Sequence, residues 1–130
     1  MKLKNYISGQ WIEGNGHEIP LYNAVNGELV AISDTSGLDF EEALHFGRTI
    51  GYKNLSSMTF YDRGEMLKKI ALYLLERKKK YYELSYKTGA THIDSWVDIE
   101  GGFGTFFTYS KKKKRMLPNT PFWVDGETQK

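Results

Sequence analysis

The 130-residue sequence predicts an α+β fold, with β-hairpins first and three or four α-helices after them. Three observations carry that prediction. Between residues 5 and 34, Tyr, Ile, Trp and Val recur among turn-forming residues with no helical period. A cluster of cap and turn formers, Ser33-Asp34-Thr35-Ser36-Gly37, ends that texture. Apolar residues then return at spacings of three and four as far as residue 115.

The strand region, residues 1–34, divides at its turn signals. Ser8-Gly9 can fold Asn5-Tyr6-Ile7 back onto Gln10-Trp11-Ile12-Glu13, and Gly14-Asn15-Gly16 supplies a second break. Asn26-Gly27 separates Leu21–Val25 from Glu28–Ile32, and this dipeptide suits a type I′ turn in which both central residues take positive φ. Pro20, which has no backbone N–H, belongs at a strand start or on an edge.

Helices are predicted over residues 38–115. Asp39 with Glu42 three residues on writes a first cap, followed by a stripe of Phe40, Ala43, Leu44, Gly47 and Ile50 that reads as buried. Thr59 with Asp62 writes a second, leading Leu67, Ile70, Ala71, Leu74 and Leu75 along one face. Arg77 to Lys80 then place positive charge where it suits the end of that helix, at about 0.3–1 kcal/mol per residue. The helix continues or restarts through Tyr81, Leu84 and Ser85 until Thr88-Gly89 closes it. Thr91 with Asp94 opens a last helix bearing Trp96, Ile99, Phe103 and Phe106. Residues 116–130, with Pro118, Pro121 and Gly126, read as a loop.

Three glycines, Gly101, Gly102 and Gly104, interrupt that last helix. Each costs about 1 kcal/mol relative to alanine in a helix interior, so together they imply about 3 kcal/mol that something offsets. Tight helix packing is one account; close approach of another backbone or of a ligand is the other.

Composition excludes several kinds of chemistry. The chain has no cysteine, which removes disulfides, thiolate nucleophiles and Cys-ligated metals. Lys+Arg 18 against Asp+Glu 16 leaves +2, too small a surplus to prescribe a polyanionic partner. No run approaches the roughly 18 apolar residues of a membrane span, and Asn5, Ser8, Gly9 and Gln10 interrupt any signal-peptide core. A cytoplasmic protein with neither a membrane nor a nucleic-acid partner is expected.

Residue-level chemistry is sparse. His17, His45 and His92 are scattered and form no two-His helix motif, so no metal is expected. There is no Gly-x-Ser-x-Gly nucleophile turn. Asp94 and Asp98 lie four apart beside Glu100 and could share acid–base work, yet carboxylates near a helix N-terminus also have a purely electrostatic reason to be there. Gly101-Gly102-Phe103-Gly104 lacks the third glycine and preceding strand of a dinucleotide fingerprint. The run Lys111 to Arg115, beside Phe106, Phe107 and Tyr109, suits either a charge-compensated helix end or a polyanion.

Taken in order, the elements resemble the N-terminal segment of the aldehyde dehydrogenase superfamily. Tyr6-Ile7-Ser8-Gly9-Gln10-Trp11-Ile12-Glu13-Gly14 is similar to the family's opening I-x-G-x-W strand pair. Tyr22-Asn23-Ala24-Val25-Asn26-Gly27-Glu28 is similar to its N-P-A-T-G-E turn, with Ala24 in the proline place. Phe60 to Ala71 resembles its R-x-x-x-L-x-K-x-A helix, and Leu84 to Gly89 its L-x-x-x-T-G ending. Met58-Thr59-Phe60, Thr88-Gly89-Ala90-Thr91 and Asp94 to Gly102 most resemble the dehydrogenase half of bifunctional phenylacetic acid degradation proteins, which also carry a hydratase-like ring-opening domain.

This resemblance implies a piece of a larger α/β dehydrogenase fold, within the outer layer of its coenzyme-binding domain. It implies a homo-oligomeric parent that uses NADP or NAD to oxidise an aldehyde to an acid. The substrate would be a CoA-linked semialdehyde formed by opening an oxepin-CoA ring. In the family a cysteine thiolate attacks the aldehyde, hydride passes to the nicotinamide, and a glutamate-activated water releases the acid. No cysteine is present and no later motif is matched, so no catalytic or cofactor-binding residue carries over, and the chain alone is expected to be inactive and to bind no cofactor. The helix matching Trp96 to Tyr109 passes the family's substrate entrance, which makes Asp98, Gly101 and Gly102 the candidate entrance-lining residues. The alternative from another class is a small non-enzymatic α+β binding module that holds a partner or polyanion through its basic, aromatic helix.

Overall fold

The rings of Tyr6 and Trp11 lie 5.0 Å apart across the first hairpin, a cross-strand aromatic pair of the kind that fixes register. β1 (Asn5–Ile7) and β2 (Gln10–Ile12) pair antiparallel, with Asn5 opposite Ile12 and Ile7 opposite Gln10. Ser8 and Gly9 turn the chain at φ 49° and 81°, so both central residues are left-handed, as a type I′ turn requires. The computed structural model describes residues 1–124; residues 125–130 of the expected terminal loop, and the side chains of Lys113, Lys114 and Arg115, lie outside the described residues.

β3 (Ile19–Tyr22) and β4 (Leu29–Ser33) form a second antiparallel hairpin, with Ile19 opposite Ser33, Leu21 opposite Ala31 and a bulge between Leu21 and Tyr22. Its turn corrects the expectation of a two-residue type I′ loop. Only Gly27 takes positive φ, and the loop is wider: Asn23 N–H donates to Glu28 O at 2.8 Å while Gly27 N–H donates to Asn23 O at 2.8 Å. Asn26 turns its side-chain oxygen to the Glu28 N–H instead, the local competition that Asn offers to regular turns. The outer edge of β4 is covered by the chain start, where Leu3 N–H donates to Ile32 O and Ile32 N–H donates to Met1 O.

The side chain of Asp34 ties these strands together. Fully buried, it accepts from the N–H groups of Ser36 (2.9 Å) and Gly16 (3.0 Å), and the Lys2 ammonium stands 3.3 Å away. Its backbone carbonyl takes the Asn5 amide at 2.8 Å. The Ser36 N–H, more than burial works against it, holds the Asp34 carboxyl well below the usual carboxylate range, helped by the Ser36 hydroxyl, Gly16 and Lys2.

The helices begin at the predicted caps. Asp39 accepts from Glu42 N–H at 2.8 Å and opens α1 (Phe40–Phe46), which runs through a π-helical turn, Gly47–Gly51, into α2 (Tyr52–Ser57) without a break. Its apolar stripe is not buried as expected. Phe40 is 63%, Leu44 53% and Ile50 47% exposed.

Thr59 and Asp62 form a reciprocal capping box at the start of α3 (Phe60–Glu76), and Thr91 and Asp94 form another at the start of α5 (His92–Met116). Between them stands α4 (Lys78–Tyr86), and Gly89 follows at φ 86°. The break between α3 and α4 falls at Arg77, at φ −107° and ψ 9°. Lys78, Lys79 and Lys80 therefore form the first turn of α4, the positive end of a helix dipole, rather than the tail of α3 where the sequence put them.

The chain forms two compact units. One, Met1–Tyr52 with Lys87–Gly89, holds both hairpins and α1, and is centred on Ala31 and Asp34. Within it the Ala24 N–H donates to Lys87 O at 2.8 Å. The other, Lys53–Tyr86 with Ala90–Lys130, packs α5 against α3 and α4. The buried residues of α3 are Gly64 and Ala71, small enough for helices to approach closely, and α5 presents Ser95, Phe103 and Ser110 as its buried positions.

Candidate functional site

Helix α5 carries every residue that the sequence singles out as an entrance position. Asp98, Gly101 and Gly102 are three and four residues apart and thus neighbours on the helix surface, and all three are exposed. A Cβ built on Gly101, Gly102 or Gly104 meets no atom within 4 Å. Packing among the described residues is therefore not what calls for the glycines. Beside the glycines, Thr105 donates to Gly101 O at 3.2 Å and Thr108 to Gly104 O at 2.9 Å.

The other carboxylates divide by role. Asp94 is consumed by the cap: it accepts from the Thr91 hydroxyl and N–H, which hold its carboxyl below the ordinary value. It therefore does not pair with Asp98 for acid–base work. Glu100 points the other way, toward α4, and accepts from Lys78 Nζ and from the Tyr82 hydroxyl, each at 2.9 Å. Lys78 first, then Tyr82, pulls the Glu100 carboxyl down; burial first, then the Glu100 acceptor, pushes the Tyr82 hydroxyl up.

Around that pair α4 and α5 leave a groove of about 480 Å³. His92, Trp96 and Glu100, spaced by four, supply one wall, and Tyr82 and Tyr86 the other. The Tyr82 and His92 rings stack at 5.4 Å, and the Tyr86 hydroxyl and His92 Nδ1 are hydrogen-bonded at 2.9 Å. Below them the buried Ser95 hydroxyl donates to Thr91 O and meets the Ser85 hydroxyl at 2.9 Å. Sequence reading missed this cluster. The spacing of four from His92 to Glu100 was visible, but its α4 half depends on where the helix breaks at Arg77.

Among the described residues no group of three His, Cys, Asp or Glu could hold a metal, and no helix is long and apolar enough to cross a membrane. In the basic run, the Lys112 ammonium lies 4.9 Å from the Tyr109 ring centre. The side chains of Lys113 to Arg115 lie outside the described residues.

No protein-family model matches the chain. Individual proteins do. The chain is 36% identical over 117 residues, 89% of its length, to the 3,4-dehydroadipyl-CoA semialdehyde dehydrogenase of Aromatoleum evansii, of which it covers 23%. It is 25% identical over 132 aligned positions, 96% of its length, to malonate-semialdehyde dehydrogenases of Bacillus thuringiensis (strain Al Hakam) and Bacillus cereus (strain AH187), covering 27% of each. The chain thus spans about a quarter of the length of the curated relatives it matches. The homologues of this chain are aldehyde dehydrogenases, and its sequence is consistent with a segment from the N-terminal side of that superfamily.

Proposed function

We propose that this chain serves as the N-terminal segment of an NAD(P)-dependent aldehyde dehydrogenase that oxidises a CoA-linked semialdehyde to an acid, in the setting of phenylacetate degradation. The kinship with the dehydrogenase from Aromatoleum evansii, across nearly nine-tenths of the chain, is the observation that carries this reading. In it the segment is a scaffold: with no cysteine it has no thiolate to attack an aldehyde, and the nucleophile and coenzyme site belong to other parts of the enzyme. A partner ring-opening domain and a homo-oligomeric assembly belong to the same proposal.

Within that enzyme α5 borders the substrate path. Asp98, Gly101 and Gly102 form an exposed face on which no atom of the described residues crowds the glycine Cβ positions. A bulky thioester-bearing substrate is admitted where a side chain would stand, which gives the helix a reason to carry residues that weaken it.

The test is a coupled pair of assays. The purified 130-residue chain, given a CoA-linked semialdehyde with NAD or NADP, is expected to form no reduced nicotinamide. Joined to a cysteine-bearing dehydrogenase remainder of a relative, it is expected to support turnover. Oxidation by the chain alone, or a dead chimera in which this segment folds, contradicts the proposal.

A further inference from the structure

Between α4 and α5 lies an open groove lined by aromatic side chains from both helices. Its volume of about 480 Å³ falls within the roughly 300–1,000 Å³ of ligand pockets. Its walls are set in advance: Tyr82 is held by Glu100 and stacked on His92, and His92 is bonded to Tyr86. Trp96 completes the wall with 54% of its surface exposed, and no ring stacks on it among the described residues. Its indole offers an open stacking face along the groove.

Charge selects the occupant. Lys78 and Glu100 neutralise each other at 2.9 Å. Of the other ionic groups on the lining, Lys79 and Glu83 are one of each sign, and neither forms an ion pair among the described residues. A ligand of either charge meets as much repulsion as attraction. We infer that this groove binds an uncharged planar aromatic ring, stacked on Trp96 beside the bonded Tyr86–His92 pair. This site lies on the face of α5 away from Gly101, and its existence does not depend on the dehydrogenase reading.

Indole is the probe. In ¹H–¹⁵N spectra of the chain, the side-chain N–H signal of Trp96, identified by its loss in Trp96→Phe, is expected to shift saturably with indole. The signals of Trp11 and Trp123 should stay in place. Tyr86→Ala, at a residue 41% exposed and so tolerant of change, is expected to weaken binding by about fivefold while leaving the Trp11 and Trp123 signals unmoved. Indole-3-acetate and tryptamine should bind no more tightly than indole. A Trp96 signal that does not move, or that moves in parallel with those of Trp11 and Trp123, overturns the site. Unchanged affinity in a folded Tyr86→Ala variant does the same. Binding of either charged analogue about tenfold tighter than indole overturns the assignment to an uncharged ring.

Discussion

Gly14 lies so close to Asp34 that no side chain fits between them: a Cβ on Gly14 would stand 2.5 Å from both the carboxyl carbon and the backbone oxygen of Asp34. One of those neighbours is backbone and the other a carboxylate fixed by Ser36, Gly16 and Lys2, so neither can give way. Gly14→Ala is therefore expected to destabilise the hairpin unit by about 1–3 kcal/mol through overpacking. Urea unfolding followed by Trp11 fluorescence measures this, and an unchanged midpoint would contradict the contact.

The same carboxylate makes stability depend on acid. Asp34 has a folded-state pKa depressed below its ordinary value of 3.8, so it contributes stability above that pH and loses it as the pH falls toward the folded value. Thermal melts from pH 5 down to about pH 2 should show the unaltered chain losing stability more steeply than Asp34→Asn. Asp94 and Glu100 are depressed as well and contribute the slope that remains in the variant. Parallel curves for the two proteins would remove Asp34 from the account.

The capping boxes were legible because each is written within four residues of sequence: Thr59 with Asp62, and Thr91 with Asp94. The Ser8-Gly9 turn was legible for the same reason. What failed depended on neighbours that sequence order does not display. Phe40, Leu44 and Ile50 have the period of a buried stripe, yet all three stand exposed. The lysines after Arg77 suit a helix end or a helix start equally, and only the backbone break at Arg77 decides. The Lys78–Tyr82–Glu100 cluster then follows from that break, since it turns α4 toward α5. Of the candidate site, the spacing of Asp98, Gly101 and Gly102 puts them on neighbouring positions of one helix, but neither their exposure nor the open space over the glycines was readable from it.

Thr91→Ala should cost about 1 kcal/mol by removing a cap from α5. It should also release Asp94, whose carboxyl is held down chiefly by the Thr91 hydroxyl and then by the Thr91 N–H. A carbon-detected titration of Asp94 is expected to show its pKa rising toward the ordinary aspartate value in the variant. A lowered melting temperature with no movement of that titration would mean the side chain acts otherwise than as a cap.

Gly102→Ala tests whether packing needs the glycine. The Cβ position is empty to 4 Å, so alanine gains helix propensity with nothing to clash against, and the isolated chain should be stabilised by about 1 kcal/mol. Destabilisation in denaturant unfolding would show that the site is crowded after all.

Substrate passage over the glycine face of α5 is tested by Gly101→Leu in a complete dehydrogenase carrying this segment. The measurement is kcat/KM for a CoA-linked semialdehyde and for a short aldehyde in the same preparation. The CoA-linked substrate is expected to lose about tenfold or more relative to the short one, the effect of a misplaced path rather than of damaged chemistry. Equal losses for both substrates, or no loss for either, would contradict it.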